Sequence, residues 1–102
     1  EEPSIDDFIA VEVEPRFDLE ALQRRVQYPP IARSSGIEGQ VTVGVLVGKT
    51  GAIEKIKIFD SDNEVLNKAA EKAVSETTFA PALQNGNPVR TWVRIPVKFR
   101  LR

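Results

Sequence analysis

Residues 89–102 alternate without a break, reading VRTWVRIPVKFRLR. Val89, Thr91, Val93, Ile95, Val97, Phe99 and Leu101 fall on one side. Arg90, Trp92, Arg94, Pro96, Lys98, Arg100 and Arg102 fall on the other. A period of two predicts a strand with one face on a core and one in solvent. Pro96 has no N–H to give to a ladder, which places this strand at a sheet edge. Residues 40–47 carry a second alternation, with Val41, Val43, Val45 and Val47 on one face and Thr42, Gly44 and Leu46 on the other. Gly48-Lys49-Thr50-Gly51 then reads as a turn and residues 53–59 as the return strand of a hairpin. Lys55 and Lys57 face out if Ile56 and Ile58 face in.

Helical spacing takes over between these strands. Asp18 is placed to cap a helix over residues 19–26, where Leu19, Leu22 and Val26 share a face. Tyr28-Pro29-Pro30 ends it. A short helix over residues 30–35 follows, with proline in its first turn and Gly36 after its end. Ser61-Asp62-Asn63-Glu64 has the spacing of a capping box. Behind it Leu66, Ala69, Ala70, Ala73 and Val74 form an apolar stripe, with Lys68, Glu71, Lys72 and Glu76 outside. Phe79-Ala80-Pro81-Ala82 reads as an irregular packed connection, and Asn85-Gly86 as a turn. Residues 9–13 (IAVEV) have the pattern of a short strand interrupted by Pro15, and residues 1–8 read as mobile. The order predicts a small α+β domain: an antiparallel three-stranded sheet, made of a hairpin and a C-terminal edge strand, packed against helices.

Charge divides the chain. Residues 1–20 hold eight acids and one base, and residues 21–102 hold seven acids and thirteen bases, within a net charge of −1. The acidic stretch reads as a solvated linker end or as a shield for the basic face. The expected division is residues 1–17 as an acidic extension and residues 18–102 as the domain. At 102 residues the core is modest and stability is limited. The start at Glu1, without Met, is that expected of a piece of a longer protein.

Candidate chemistry is sparse. The chain has no histidine and no cysteine, so the usual nucleophile–base pairs and classical zinc sites cannot be built. Gly44-Val45-Leu46-Val47-Gly48-Lys49-Thr50 resembles a phosphate-binding loop but has three residues between the glycines and leads into a strand, where no helix N-terminus faces a phosphate. Asp60, Asp62, Glu64 and Glu71 have the spacing of a calcium loop, but Val65 stands where glycine is needed. No enzyme activity, metal or other cofactor is expected.

An ordered set of residues resembles the C-terminal domain of TonB energy transducers. It comprises Tyr28-Pro29, Ala32, Gly36, Gly39, Val41-x-Val43-x-Val45, Gly51, Ile53, Leu66, Ala69-Ala70, Val74, Phe79-x-Pro81-Ala82, Gly86-x-Pro88-Val89 and Ile95-Pro96-Val97-x-Phe99. The chain departs from the family pattern at Asn67, where Asp is common, and at Thr77-Thr78, where a bulky aromatic is common. The resemblance implies a periplasmic domain whose preceding membrane anchor associates with an inner-membrane proton-channel complex. It also implies capture of a short segment, the TonB box, of outer-membrane receptors, and energy-driven uptake of ligands such as iron chelates.

Strand addition to an exposed edge suits such a task, because main chain does most of the bonding. The expected partner-binding residues are Ile95, Val97 and Phe99 in the last strand. By resemblance Val26, Gln27, Tyr28 and Pro29 join them. The outward bases Arg90, Arg94, Lys98 and Arg100 would draw in acidic receptor segments. Tyr28-Pro29 has a bland reading too, as a helix end with a ring packed on the core. Trp92 is either covered by another element or presented to a partner. An envelope scaffold or sensor could use the same domain. Trp92 between two arginines also fits single-stranded nucleic acid, although no nucleic acid is expected given the net acidity and the lack of a second outward aromatic. The edge strand could also pair with its copy in a homodimer.

Overall fold

A computed structural model describes residues 11–101. The predicted mobile stretch 1–8 and the first part of the predicted strand 9–13 lie outside the described residues. The elements are α1 (Leu19–Arg25), α2 (Pro30–Ser34), β1 (Gly39–Val47), β2 (Ile53–Ser61), α3 (Asn67–Ser75), β3 (Ala82–Gln84), β4 (Asn87–Val89) and β5 (Thr91–Phe99). A 3-10 turn over Glu64–Leu66 leads into α3. The main sheet is antiparallel in the order β2-β1-β5. This is the expected α+β arrangement, with the last strand at an edge.

The valine row of β1 builds the core. Val41, Val43, Val45 and Val47 are fully buried and meet Ile95, Val97 and Phe99 from β5 and Leu66, Ala70, Ala73 and Val74 from the α3 side. The alanines bring the α3 backbone close to the sheet. α1 adds Leu22 and α2 adds Ala32. Asp18 caps α1 as expected, its carboxylate accepting from the Ala21 N–H at 3.0 Å.

β2 is bulged twice, and the first bulge fits it to this core. Val47 pairs with Ile53 and Leu46 with Lys55, which leaves Glu54 extra; Thr42 pairs with Asp60 and Val43 with Ile58, which leaves Phe59 extra. Each extra residue resets the alternation. The extra Glu54 brings Ile53 into phase with Ile56 and Ile58, so all three pack against the core, while Lys55 and Lys57 face the other side of the sheet.

Three expectations change. The capping box at Ser61 is not formed: Ser61 is the last residue of β2, and Asn63 caps the helical turn by accepting from the Val65 N–H at 3.0 Å. Ladder pairing with Val41 keeps Ser61 in β2, the Asp62 carboxylate accepts from the Gln40 N–H, and Asn63 takes the cap. The irregular packed connection holds for residues 79–81, but Ala82 opens a second small sheet, β3–β4, closed by Asn85-Gly86 with φ of 54° and 77°. Two left-handed residues in a two-residue loop match the twist of a hairpin. The alternation from Val89 onward is also shared between two sheets. The chain leaves β4 after Val89 and enters β5 at Thr91. Between them Arg90 is fastened to Glu54, its Nε donating to Oε1 at 2.8 Å.

The N-terminal segment lies along β3. Val13 and Leu83 exchange backbone bonds of 3.1 and 2.8 Å, and Arg16 and Ala80 exchange bonds of 3.1 and 2.9 Å. Phe17 packs against Phe79, ring centroids 5.2 Å apart.

Candidate partner-docking site

Among the described residues, β5 bonds to a neighbouring strand on one side only. The phase of its backbone follows from two observations. Lys98 directs both backbone groups away from β1: its N–H donates to Gln23 Oε1 at 2.8 Å, and its carbonyl accepts from Gln23 Nε2 at 3.1 Å. Opposite Lys98, Gln40 turns to β2, its carbonyl accepting from the Asp62 N–H at 3.0 Å. Antiparallel neighbours alternate between bonded and non-bonded pairs. Trp92, Arg94, Pro96 and Lys98 therefore aim their backbone outward, while Val93, Ile95 and Val97 bond to β1. Pro96 stands where its missing N–H costs the β1 ladder nothing.

A groove of about 730 Å³ runs between α1 and the C-terminal half of β5. Leu19, Gln23 and Val26 line it from α1 and its C-cap, with Tyr28 beyond, and Pro96, Lys98, Phe99 and Arg100 line the far wall. Glu20 and Arg24 stand on the rim with Lys98 and Arg100, so cations outnumber the one carboxylate. The wall is fixed by Tyr28. Its ring meets Phe99 edge-on at 5.7 Å, Arg33 lies 5.2 Å from its centroid, and its hydroxyl donates to the Ile37 carbonyl. The chain end is held nearby, where the Leu101 N–H donates to Glu38 Oε2 at 2.7 Å.

Desolvation, with the Glu38 carboxylate adding to it, holds the Tyr28 hydroxyl above its ordinary pKa; Arg33 opposes this. The folded state therefore keeps that proton more tightly than the unfolded chain does. The stabilisation is complete below about pH 10, the ordinary tyrosine value, and is lost as pH rises through the higher folded value. Tyr28→Phe is expected to flatten that alkaline decline, read by circular dichroism between about pH 9 and 12. An unchanged decline in the variant would assign it to other groups.

The expected site residues divide. Val26, Tyr28, Lys98, Phe99 and Arg100 meet at the groove. Ile95, Val97 and Phe99 send their side chains into the core. Arg90 lies at the far end of β5 on Glu54. Arg94 stacks its guanidinium 3.8 Å from the Phe59 centroid on the sheet's outer face, where Lys57 also lies 5.9 Å from the Trp92 ring. Gln27 is exposed and accepts from Lys72 Nζ at 3.5 Å, and Pro29 is the N-cap residue of α2. Sequence reasoning missed Leu19, Glu20, Gln23 and Arg24. A signal was present, because Leu19, Gln23 and Val26 sit at i, i+4 and i+7, a second helical stripe beside Leu22.

The family described as Gram-negative bacterial TonB protein C-terminal matches residues 24–101. The chain belongs to this family. Protein TonB of Vibrio cholerae is 33% identical over 84 residues, which are 81% of this chain and 34% of that protein. Protein tonB2 of Pseudomonas aeruginosa is 36% identical over 76 residues, 74% of this chain and 28% of its own length. The chain thus spans about a third of the length of these TonB relatives. The solution structure of the Helicobacter pylori TonB C-terminal domain superposes with a TM-score of 0.63 at 25% identity, covering 81% of this chain and 76% of that one. The Pseudomonas aeruginosa TonB domain shares the fold, with a TM-score of 0.61 at 22% identity over 87% of this chain and 88% of that one. The TonB match takes in the groove from Arg24 onward and all of β5. Among the described residues, no helix is long and apolar enough to cross a membrane.

Proposed function

We propose that this domain is the periplasmic receptor-binding end of a TonB-like energy transducer, and that it takes an extended segment of an outer-membrane receptor as an added strand on β5. The observation that carries this reading is the outward backbone phase of the β5 edge beside an apolar, cation-rimmed groove. Main-chain pairing tolerates varied receptor sequences, while the groove selects side chains. Lys98, Arg100 and Arg24 attract acidic segments and raise the encounter rate, an effect that salt screens. The domain is a binding module, not an enzyme. Energy comes from an inner-membrane proton-channel complex through the anchored part of the whole protein.

Roughly four or five edge hydrogen bonds at about 1 kcal/mol each, with apolar side chains entering the groove, are opposed by about 2–5 kcal/mol for ordering the peptide. A micromolar dissociation constant, near −8 kcal/mol and weak enough for release, therefore requires the groove contacts to supply most of the binding energy. The test is a titration of ¹⁵N-labelled protein with a TonB-box peptide, a scrambled control and two N-methylated peptides. Saturable shifts at Lys98, Arg100, Val26 and Tyr28 are expected for the box peptide alone. N-methylation of the residues facing β5 abolishes binding, and methylation of the alternate residues leaves it. Equal loss from both methylated peptides would exclude strand addition.

A further inference from the structure

Gln23 occupies one place on the edge that strand addition uses. Its carboxamide accepts from the Lys98 N–H at 2.8 Å and donates to the Lys98 carbonyl at 3.1 Å. An antiparallel strand makes this same pair of bonds when its residue exchanges N–H and C=O with the residue opposite. A primary amide side chain carries the same donor and acceptor as a peptide group. The side chain therefore stands in for one residue of an added strand.

The neighbouring outward position sharpens the effect. Pro96 offers a carbonyl but no N–H, so Lys98 is the first position C-terminal of it where both edge groups exist. While Gln23 holds both, no incoming strand can pair fully at Lys98. Leu22, the neighbour of Gln23 in α1, is fully buried. The helix is thereby anchored and the carboxamide returns to the same place. Gln23 itself is half-buried and lines the groove, so rotation about its side-chain bonds frees the edge without moving the helix.

We propose that Gln23 is a displaceable clasp on the β5 edge: it satisfies Lys98 in the free domain and competes directly with the receptor segment for it. The inference rests on the docking reading above. It gives the free domain a closed edge at the one outward position on this half of the strand with two groups to offer, and it sets an exchange step between encounter and full pairing.

The test uses Gln23→Ala, a change that favours helix at this position and removes no core contact. In the free protein, hydrogen exchange at the Lys98 amide is expected to accelerate about tenfold in the variant, with the Val97 and Phe99 amides unchanged because they belong to the β1 ladder. The same TonB-box peptide is expected to bind the variant about fivefold more tightly, the equivalent of about 1 kcal/mol for a competing polar contact removed. An unchanged Lys98 exchange rate would overturn the clasp. Equal or weaker peptide binding by the variant would overturn the competition and leave strand docking standing. A peptide that binds neither protein would overturn the docking reading and the competition built on it.

Discussion

Replacing Phe99 with alanine is expected to remove about 3–5 kcal/mol of stability. The ring is 1% exposed and belongs to the main core cluster. It lies across the ladder from Gly39, a residue with no side chain to help fill the cavity left behind. Its edge-on contact with Tyr28 at 5.7 Å would be lost at the same time. Domains of this size hold about 5–15 kcal/mol in total, so the variant would melt roughly 15–30 °C lower. Urea and thermal unfolding both read this. Phe99→Leu keeps much of the volume and is expected to cost about 1–2 kcal/mol. A loss below about 1 kcal/mol for the alanine variant would remove Phe99 from the core. Because the same ring forms a wall of the groove, peptide affinity in Phe99→Ala is meaningful only for the folded fraction.

Gly51→Ala is the second large effect, and its cause is backbone geometry. Gly51 has a φ of +88°, and a Cβ there would stand 2.3 Å from the carbonyl oxygen of Phe79 and 3.3 Å from its carbonyl carbon. The left-handed conformation alone costs a side chain about 1–2 kcal/mol. The oxygen cannot retreat freely, because the next residue, Ala80, exchanges backbone bonds with Arg16 and the Phe79 ring is packed on Phe17. About 3 kcal/mol or more is expected from strain and contact together. Gly86 supplies the control. Its φ is +77° with nothing within 4 Å of an added Cβ, so Gly86→Ala shows the conformational term alone, about 1–2 kcal/mol. Equal losses in the two variants by chemical denaturation would mean that Phe79 yields.

The parts of this fold legible in the sequence are those written in local periodicity. The α3 stripe, the Asp18 cap, the valine row of β1 and the alternation of β5 all repeat within one element. Pro96 carried more than its edge signal. A proline in a ladder must face outward, so it also fixed which alternate residues of β5 offer backbone to a partner. Ile95, Val97 and Phe99 stand in the opposite phase, which is why their contribution is to the core and to the β1 ladder. The β3–β4 hairpin was hidden because three-residue strands are too short to show alternation, Pro81 precedes β3 and Pro88 stands inside β4. The bulge at Glu54 left a trace, the three-residue step from Ile53 to Ile56 before the ordinary two-residue step to Ile58. The Gln23–Lys98 contact left none. Its partners are 75 residues apart in the chain, and a side-chain amide bonded to a backbone has no periodic signature.

The two borders of the main sheet are unequal. On β2 the extra residues Glu54 and Phe59 break the regular spacing of backbone groups, and Lys55 and Lys57 lie in the stretch between them. Such a border is a poor template for another strand. β5, paired with β1 through nine residues in unbroken register, is the straight border. A sheet with one straight border has a valence of one. Only that border suits pairing with a second copy of the domain. Even two copies joined through β5 would consume both straight borders and leave nothing for a third. The irregular β2 border thereby keeps copies of this domain from propagating into a fibre.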